Sequence, residues 1–125
     1  IRKQVNQLPS KMRFVAALAL ALLDDDRWIT AAAHANAMTR RLYDATRDLD
    51  GLVYEAEPVV NAVFPLLPRD VIRRLQDWSV FWDWDVPRGQ VRWMTAWDTT
   101  PDDVDRFVAG VQVALAEGSL QTAID

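Results

Sequence analysis

The segment from residue 80 to residue 97 constrains the fold more than any other part of the chain. Val80–Asp85 and Gln90–Trp97 have the composition of β-strands, and Val86-Pro87-Arg88-Gly89 between them has that of a turn. Because side chains alternate along a strand, one face of this hairpin should carry the large apolar side chains: Val80, Trp82, Trp84, Val91, Trp93, Thr95 and Trp97. The sequence therefore predicts an antiparallel hairpin with its tryptophan face in the core.

Arg92 is predicted to point away from that core, onto a face that is partly apolar. An arginine in such surroundings is costly to bury unless an anion meets it. A four-residue turn would place Asp83 opposite Arg92, which predicts a cross-strand ion pair. Alternatively, the guanidinium binds the carboxylate of a ligand, and both interpretations hold if Asp83 only orients Arg92.

Helical periodicity dominates the rest of the chain. It predicts helices at about 11–23, 26–49 and 68–77, and a last helix capped by Thr100 and ended by Gly118. Short strands are expected at 52–54 and at 59–67, the second weakening towards Pro65. The predicted fold class is α+β: a small antiparallel sheet of three to four strands with helices packed on one face, preceded by two long helices.

Three of these helices carry apolar patterns that predict what they bury. The helix at 11–23 is apolar on all sides after Phe14, which indicates burial within the chain or in an interface. The second helix has one apolar stripe, formed by Trp28, Ala31, Ala35, Met38, Leu42, Ala45 and Leu49. The last helix should bury Val104, Phe107, Val108, Val111, Ala114 and Leu115.

Composition argues against several classes of function. The net charge is −4 and no basic tract occurs, so we expect no nucleic-acid partner. The chain has no cysteine and a single histidine, His34, so we expect no metal site. The longest apolar run, residues 14–23, is about half of the roughly 20 residues that a membrane span needs. We therefore expect a cytoplasmic protein that does not span a membrane.

A second candidate anion site lies at the start of the first long helix. Ser10 is the predicted N-cap, and Lys11 and Arg13 follow it. Free amides at a helix N-terminus favour phosphate, whereas cations there are unfavourable unless an anion offsets them. The alternative is an ordinary basic first turn without a ligand.

Five segments resemble, in order, the C-terminal part of threonine aldolase-like enzymes, which are pyridoxal-phosphate (PLP) lyases of the aspartate aminotransferase fold type. They are Gln7-Leu8-Pro9-Ser10-Lys11-Met12-Arg13-Phe14, the segment 22–28, His34-Ala35-Asn36-Ala37-Met38, Asn61-Ala62-Val63-Phe64 and Val91-Arg92-Trp93-Met94. The resemblance covers about residues 2–115. It implies a lead-in or interface helix at 1–25 and a C-terminal small domain at 26–125, both part of a longer protein.

The resemblance also implies roles for individual residues. Arg92 matches the arginine that holds the substrate carboxylate, and Arg13, with Lys11 as a second candidate, matches a basic residue that reaches the cofactor phosphate. The implied reaction cleaves β-hydroxy-α-amino acids such as threonine to glycine and an aldehyde. Neither Lys3 nor Lys11 matches the Schiff-base lysine, which in this family lies in the large domain. No catalytic residue is therefore assigned here, and the chain is expected to be inactive without the large domain and to act in a homo-oligomer.

Two other functions stay open from the sequence. One is a different PLP reaction on the same fold, either β-elimination or transamination. The other is a stand-alone interaction module, in which the apolar helix at 11–23 binds a partner or a second copy of the chain.

Overall fold

The computed structural model describes the backbone from residue 11 to residue 122 and side chains as far as residue 118. The chain divides into two compact units between Ala31 and Ala32. In chain order the described elements are α1 (Met12–Leu23), a 3-10 turn (Asp24–Asp26), α2 (Arg27–Thr46), β1 (Ala62–Val63), α3 (Arg69–Gln76), β2 (Trp82–Asp85), β3 (Gln90–Met94) and α4 (Pro101–Thr122). The predicted α+β class, with its small antiparallel sheet, is confirmed.

Strand β3 is the centre of the sheet, whose strand order is β1-β3-β2 with antiparallel pairing throughout. The strand predicted at 59–67 shrinks to β1, which pairs with Trp93 and Met94, and to isolated bridges from Leu66 to Val53 and Gln90. The strand predicted at 52–54 is likewise only that bridge at Val53. Pro65, which has no N–H to donate, interrupts the ladder where the sequence predicted weakening.

The inner face of β3 meets the helices through a shared hydrophobic core. Val91 and Trp93 are buried there, and Trp93 packs edge-on against Phe81 and Phe107, with ring centroids 6.1 and 4.9 Å away. Helices α3 and α4 bury the apolar faces that their periodicity predicted. The core residues on them are Val71, Ile72, Leu75, Val104, Val111, Ala114 and Leu115, with Phe107 and Val108 partly buried beside them.

The predicted tryptophan core of the hairpin is wrong except at Trp93. Trp82, Trp84 and Trp97 are 71%, 56% and 71% exposed, and Val80 is 99% exposed. The reason is local: β2 begins only at Trp82 and β3 ends at Met94, so strand alternation does not reach Val80 or Trp97. Trp82 and Trp84 instead occupy the outer face of the sheet, as the register described below explains.

Helix α2 is rotated slightly from its predicted orientation. Its buried residues are Ala35, Thr39, Leu42, Tyr43 and Thr46, whereas Trp28 and Ala45 of the predicted stripe are exposed. The two buried threonines are satisfied by hydrogen bonds, which is why an apolar pattern missed them. Thr46 donates to the Leu42 carbonyl at 2.7 Å and accepts from the Tyr54 hydroxyl at 2.8 Å.

A second threonine pair ties α2 to the segment that follows β3. The Thr95 hydroxyl donates to the Ala35 carbonyl at 2.7 Å. Its single proton is thereby used, so the hydroxyl of Thr39, 2.6 Å away, donates to Thr95. The end of the central strand is therefore fixed to the helix by buried polar contacts.

Helix α1 does not bury any of its described side chains. Its own unit therefore does not bury it, and burial in an interface stays a prediction. Its exposed large apolar residues are Met12, Phe14, Val15, Leu18, Leu20, Leu22 and Leu23.

Helix α4 begins as predicted and ends later than predicted. The Thr100 hydroxyl accepts from the Asp103 N–H at 3.1 Å, and the Asp103 carboxylate accepts from the Thr100 N–H at 2.9 Å, which makes a reciprocal capping box. Gly118 does not end the helix, which continues to Thr122. It is buried where α4 approaches α3, since a Cβ there would lie 3.1 Å from an Asp70 oxygen and 3.2 Å from a Val71 methyl.

The buried threonine pair makes a prediction about stability. Thr39→Val and Thr95→Val keep the side-chain shape but leave a buried hydroxyl or its acceptor without a hydrogen-bond partner. Each substitution should therefore lower the unfolding free energy by about 1–2 kcal/mol. The double variant should lose less than the sum, because the two hydroxyls serve each other. Urea unfolding measures this, with Thr30→Val at an exposed site as the control. Strictly additive losses would contradict the assignment.

The capping box makes a prediction about pH. Hydrogen bonds from the Thr100 hydroxyl and N–H, and from Arg106, lower the pKa of Asp103 from 3.8 to about 2. A carboxyl with a lowered folded-state pKa stabilises the fold above its unfolded pKa, and that contribution is lost as the pH falls through about 2. Asp103→Asn should therefore lower the Tm at pH 6 and differ less from the wild type near pH 2. Asp102→Asn, in the same helical turn, is the control, and an equal effect of both substitutions at pH 6 would contradict this role.

Candidate functional site

A β-bulge in the hairpin decides what surrounds Arg92. Asp85 faces Gln90 as predicted, but Trp84 is then an extra residue, so that Asp83 faces Val91 and Trp82 faces Arg92. A slip of one residue moves a side chain to the other face of a sheet. The predicted ion pair between Asp83 and Arg92 is therefore wrong. Asp83 instead accepts a hydrogen bond of 3.4 Å from Gln76 on α3.

Arg92 lies partly buried on the outer face of the sheet, against aromatic rings. Its guanidinium carbon is 5.4 Å from the centroid of the Trp84 ring. Trp84 in turn meets Phe64 edge-on, with centroids 5.0 Å apart and ring planes at 62°. This arrangement is a cation–π contact whose ring also packs edge-on against a second ring.

The guanidinium of Arg92 lacks an anion within the described part of the chain. Its Nε is buried and has no hydrogen-bond partner, and the residues from 11 to 122 give it no ion pair. Buried polar groups are nearly always hydrogen-bonded, so an exception requires an explanation. The planar guanidinium group of an arginine can bind a carboxylate through two parallel hydrogen bonds.

Two acidic residues line a cavity beside this aromatic pair, and both are paired with arginines. A cavity of about 400 Å³ lies beside Trp84 and Phe64, and Glu55 and Glu57 contribute to its lining. Glu57 pairs with Arg40 at 2.9 Å, and Glu55 pairs with Arg88. Their hydrogen bonds raise the pKa of both arginines above the usual value. The two glutamates of this cavity are therefore paired with arginines other than Arg92.

Lys11 and Arg13 lie at the N-terminal end of α1, in the unit before Ala32, whereas Arg92 belongs to the unit after it. Lys11 has a left-handed backbone with φ 67° and gives the helix no side-chain cap, and Arg13 stacks over Phe14 at 5.0 Å. Both are exposed, and no acidic residue lies in the first turn. The N-cap predicted at Ser10 lies outside the described residues.

The remaining candidates have structural roles or form no site. His34 donates from Nε2 to the Thr99 carbonyl at 2.8 Å, which ties the loop before α4 to α2. Within residues 11–122, no three histidine, aspartate or glutamate side chains gather as a metal site would require. The described helices are all too short or too polar to cross a bilayer.

Sequence reasoning missed Trp84 as the partner of Arg92. Alternation placed Trp84 in the core, and nothing in the sequence marks the bulge that turns it outward. The available signal was composition alone: an arginine and several tryptophans in one hairpin are the residue types of a cation–π contact.

Comparison with curated proteins adds evidence independent of this geometry. The chain is 32% identical over 115 residues to the low specificity L-threonine aldolase of Pseudomonas aeruginosa. It is 30% identical over 114 residues to an enzyme of the same name from a Pseudomonas sp.. This chain resembles threonine aldolases. The matches cover 90% and 91% of the chain, and the predicted resemblance is confirmed.

The similarity covers only part of the length of these threonine aldolases. The chain spans about one third of the length of these two curated relatives, 33% of each. No family model matches the chain.

Proposed function

We propose that this chain is the C-terminal part of a PLP-dependent lyase of the threonine aldolase type. The complete enzyme would cleave threonine-like β-hydroxy-α-amino acids to glycine and an aldehyde. Residues 1–25 would form the lead-in or interface helix and residues 26–125 the small domain. The observation that carries the proposal is the state of Arg92, a partly buried cation with an unpaired Nε and an aromatic support.

Arg92 would bind the α-carboxylate of the amino-acid substrate. The guanidinium edge offers two N–H donors in the spacing of the two carboxylate oxygens, and lysine cannot reproduce this geometry. Charge-assisted hydrogen bonds at a partly desolvated site are stronger than neutral ones in water. The contact would fix the substrate in one orientation and supply binding energy in both the ground state and the transition state.

The cofactor would be held mainly by residues outside this chain. PLP, when bound, supplies the electron sink for cleavage of the substrate carbon–carbon bond. Of this chain's residues, Arg13 and, as the second candidate, Lys11 would contact the cofactor phosphate. Exposed cations at the positive end of a helix, with no acid in that turn, are suited to an anionic group. The covalent lysine would belong to the large domain, and Arg13 would reach the phosphate in its own or in a partner subunit.

The exposed apolar side chains of helix α1 support the proposal that this chain assembles with further protein. Its large apolar side chains are between 39% and 70% exposed, which is unfavourable for a surface that stays in water. In the complete enzyme this helix would be covered by the large domain or by a second subunit. The same observation favours the second candidate function, a stand-alone module that binds a partner through α1.

The role of Arg92 predicts a specific kinetic defect in the complete enzyme. Arg92→Ala should raise KM for threonine on the order of 100-fold, because a charge-assisted pair is lost. Cofactor absorbance should be unchanged, and Arg92→Lys should recover only part of the loss. Arg73→Ala, an exposed arginine on α3, is the matched control and should leave KM unchanged. An unchanged KM in Arg92→Ala would refute the assignment.

The missing lysine predicts that the chain alone is inactive. With added PLP, residues 1–125 should give no imine absorbance beyond that of free lysines, and no glycine from threonine. A Lys3→Arg/Lys11→Arg double variant is the control for those two amines. Stable, stoichiometric cofactor absorbance that the double variant abolishes would contradict the proposal. Sedimentation of the same preparation tests the stand-alone alternative, which a monodisperse, cooperatively unfolding monomer would favour.

A further inference from the structure

We propose that Trp84 is a positioning residue that orients the guanidinium of Arg92 for the substrate carboxylate. The inference deepens the proposed function and rests on it, since it assigns to Trp84 a role exerted entirely through Arg92. Neither the sequence pattern nor the resemblance pointed to this residue.

The bulge in β2 is what brings Trp84 to Arg92. Residues 83 and 85 face Val91 and Gln90, so Trp84 is the additional residue between two paired positions. Its ring lies on the outer side of the sheet, 5.4 Å from the guanidinium carbon of Arg92. Bulges often re-aim a side chain next to a functional site.

The ring of Trp84 is itself held in place. Phe64, just after β1, meets it edge-on at 5.0 Å. The carbonyl of Phe64 accepts a hydrogen bond of 3.3 Å from the Gln90 side chain, which links this segment to β3. The platform under Arg92 is therefore built from β2 and the segment after β1, with β3 between them.

An aromatic support suits a substrate-binding arginine better than an acidic one. A carboxylate beside Arg92 would orient it but would also occupy the N–H donors that the substrate needs. A ring contacts the face of the guanidinium and consumes none of its N–H groups. Arg92 is therefore restrained by the ring although its Nε has no hydrogen-bond partner. Arg92 would thus be held in a binding geometry without being neutralised.

The test uses the complete enzyme and separates KM from kcat. Trp84→Leu should raise KM for threonine about three- to tenfold, the range expected for loss of a partly desolvated cation–π contact. The kcat should change less than twofold, because carboxylate binding contributes equally before and during the reaction. Trp84→Phe should restore most of the loss. The control is Trp97→Leu, which removes an exposed tryptophan that lies beyond the end of β3. This variant should leave KM unchanged.

A double variant distinguishes failure of this inference from failure of the proposed function. If Trp84 acts through Arg92, Trp84→Leu should leave KM almost unchanged in an Arg92→Ala background. If Trp84→Leu raises KM equally with and without Arg92, the inference is overturned. It is also overturned if Arg92→Ala raises KM strongly while Trp84→Leu leaves KM unchanged. A silent Arg92→Ala would overturn the proposed function itself.

Folding is checked by cofactor absorbance and thermal unfolding of each variant. If the Trp84→Leu variant does not fold, Phe64→Leu provides the same test. This substitution removes the ring that packs against Trp84 and keeps Trp84 itself. It should raise KM by less than the full effect, again only when Arg92 is present. An unchanged KM in a folded Phe64→Leu variant would overturn the inference.

Discussion

Strand β3 is hydrogen-bonded on both sides, to β1 and to β2, and the arrangement of the remaining elements follows from its two faces. The inner face carries Val91 and Trp93 into the core formed with α2, α3 and α4. Just beyond the strand, Thr95 binds the Ala35 carbonyl and accepts from Thr39. The outer face carries Arg92. Because the backbone of β3 is fixed by the core, the starting point of the Arg92 side chain is fixed as well.

The electrostatic situation of Arg92 differs from that of other arginines in this unit. Several of them have carboxylate partners: Arg40 with Glu57, Arg41 with Asp105, Arg74 with Asp70, and Arg88 with Glu55. Arg92 has an aromatic ring instead, and its Nε is buried without a partner. A charge that is partly desolvated and not neutralised binds an incoming anion without first breaking an internal pair. For this physical reason we propose the anion site at Arg92 rather than at a paired arginine.

The apolar surface of the described chain is consistent with the proposed larger enzyme. Trp82, Trp84 and Met94 lie exposed beside Arg92, and α1 exposes its apolar side chains. Exposed apolar patches of this kind often mark interfaces or ligand sites. The curated relatives are about three times as long as the segment they share with this chain. Within the proposed function, further protein would cover these surfaces and close the site over Arg92.

Local signals in the sequence determined most of the helices. Periodicity predicted α1, α3 and the buried face of α4, and the Thr100–Pro101 start predicted its cap, because these features depend on neighbours a few residues away. The turn at Val86-Pro87-Arg88-Gly89 was predicted in the same way, and Gly89 has the positive φ that such turns use. The resemblance to threonine aldolases was also evident from the residues alone.

Only the tertiary structure decided the surroundings of Arg92. Which residue faces it depends on one extra residue in β2, and a bulge is set by hydrogen bonds between strands rather than by local composition. The burial of Thr39 and Thr46 was hidden for a similar reason, since partners distant in the chain or across a turn satisfy their hydroxyls. The sequence by itself determined that Arg92 would lie outside the core. The bulge decided that an aromatic ring, and not Asp83, is the side chain against it.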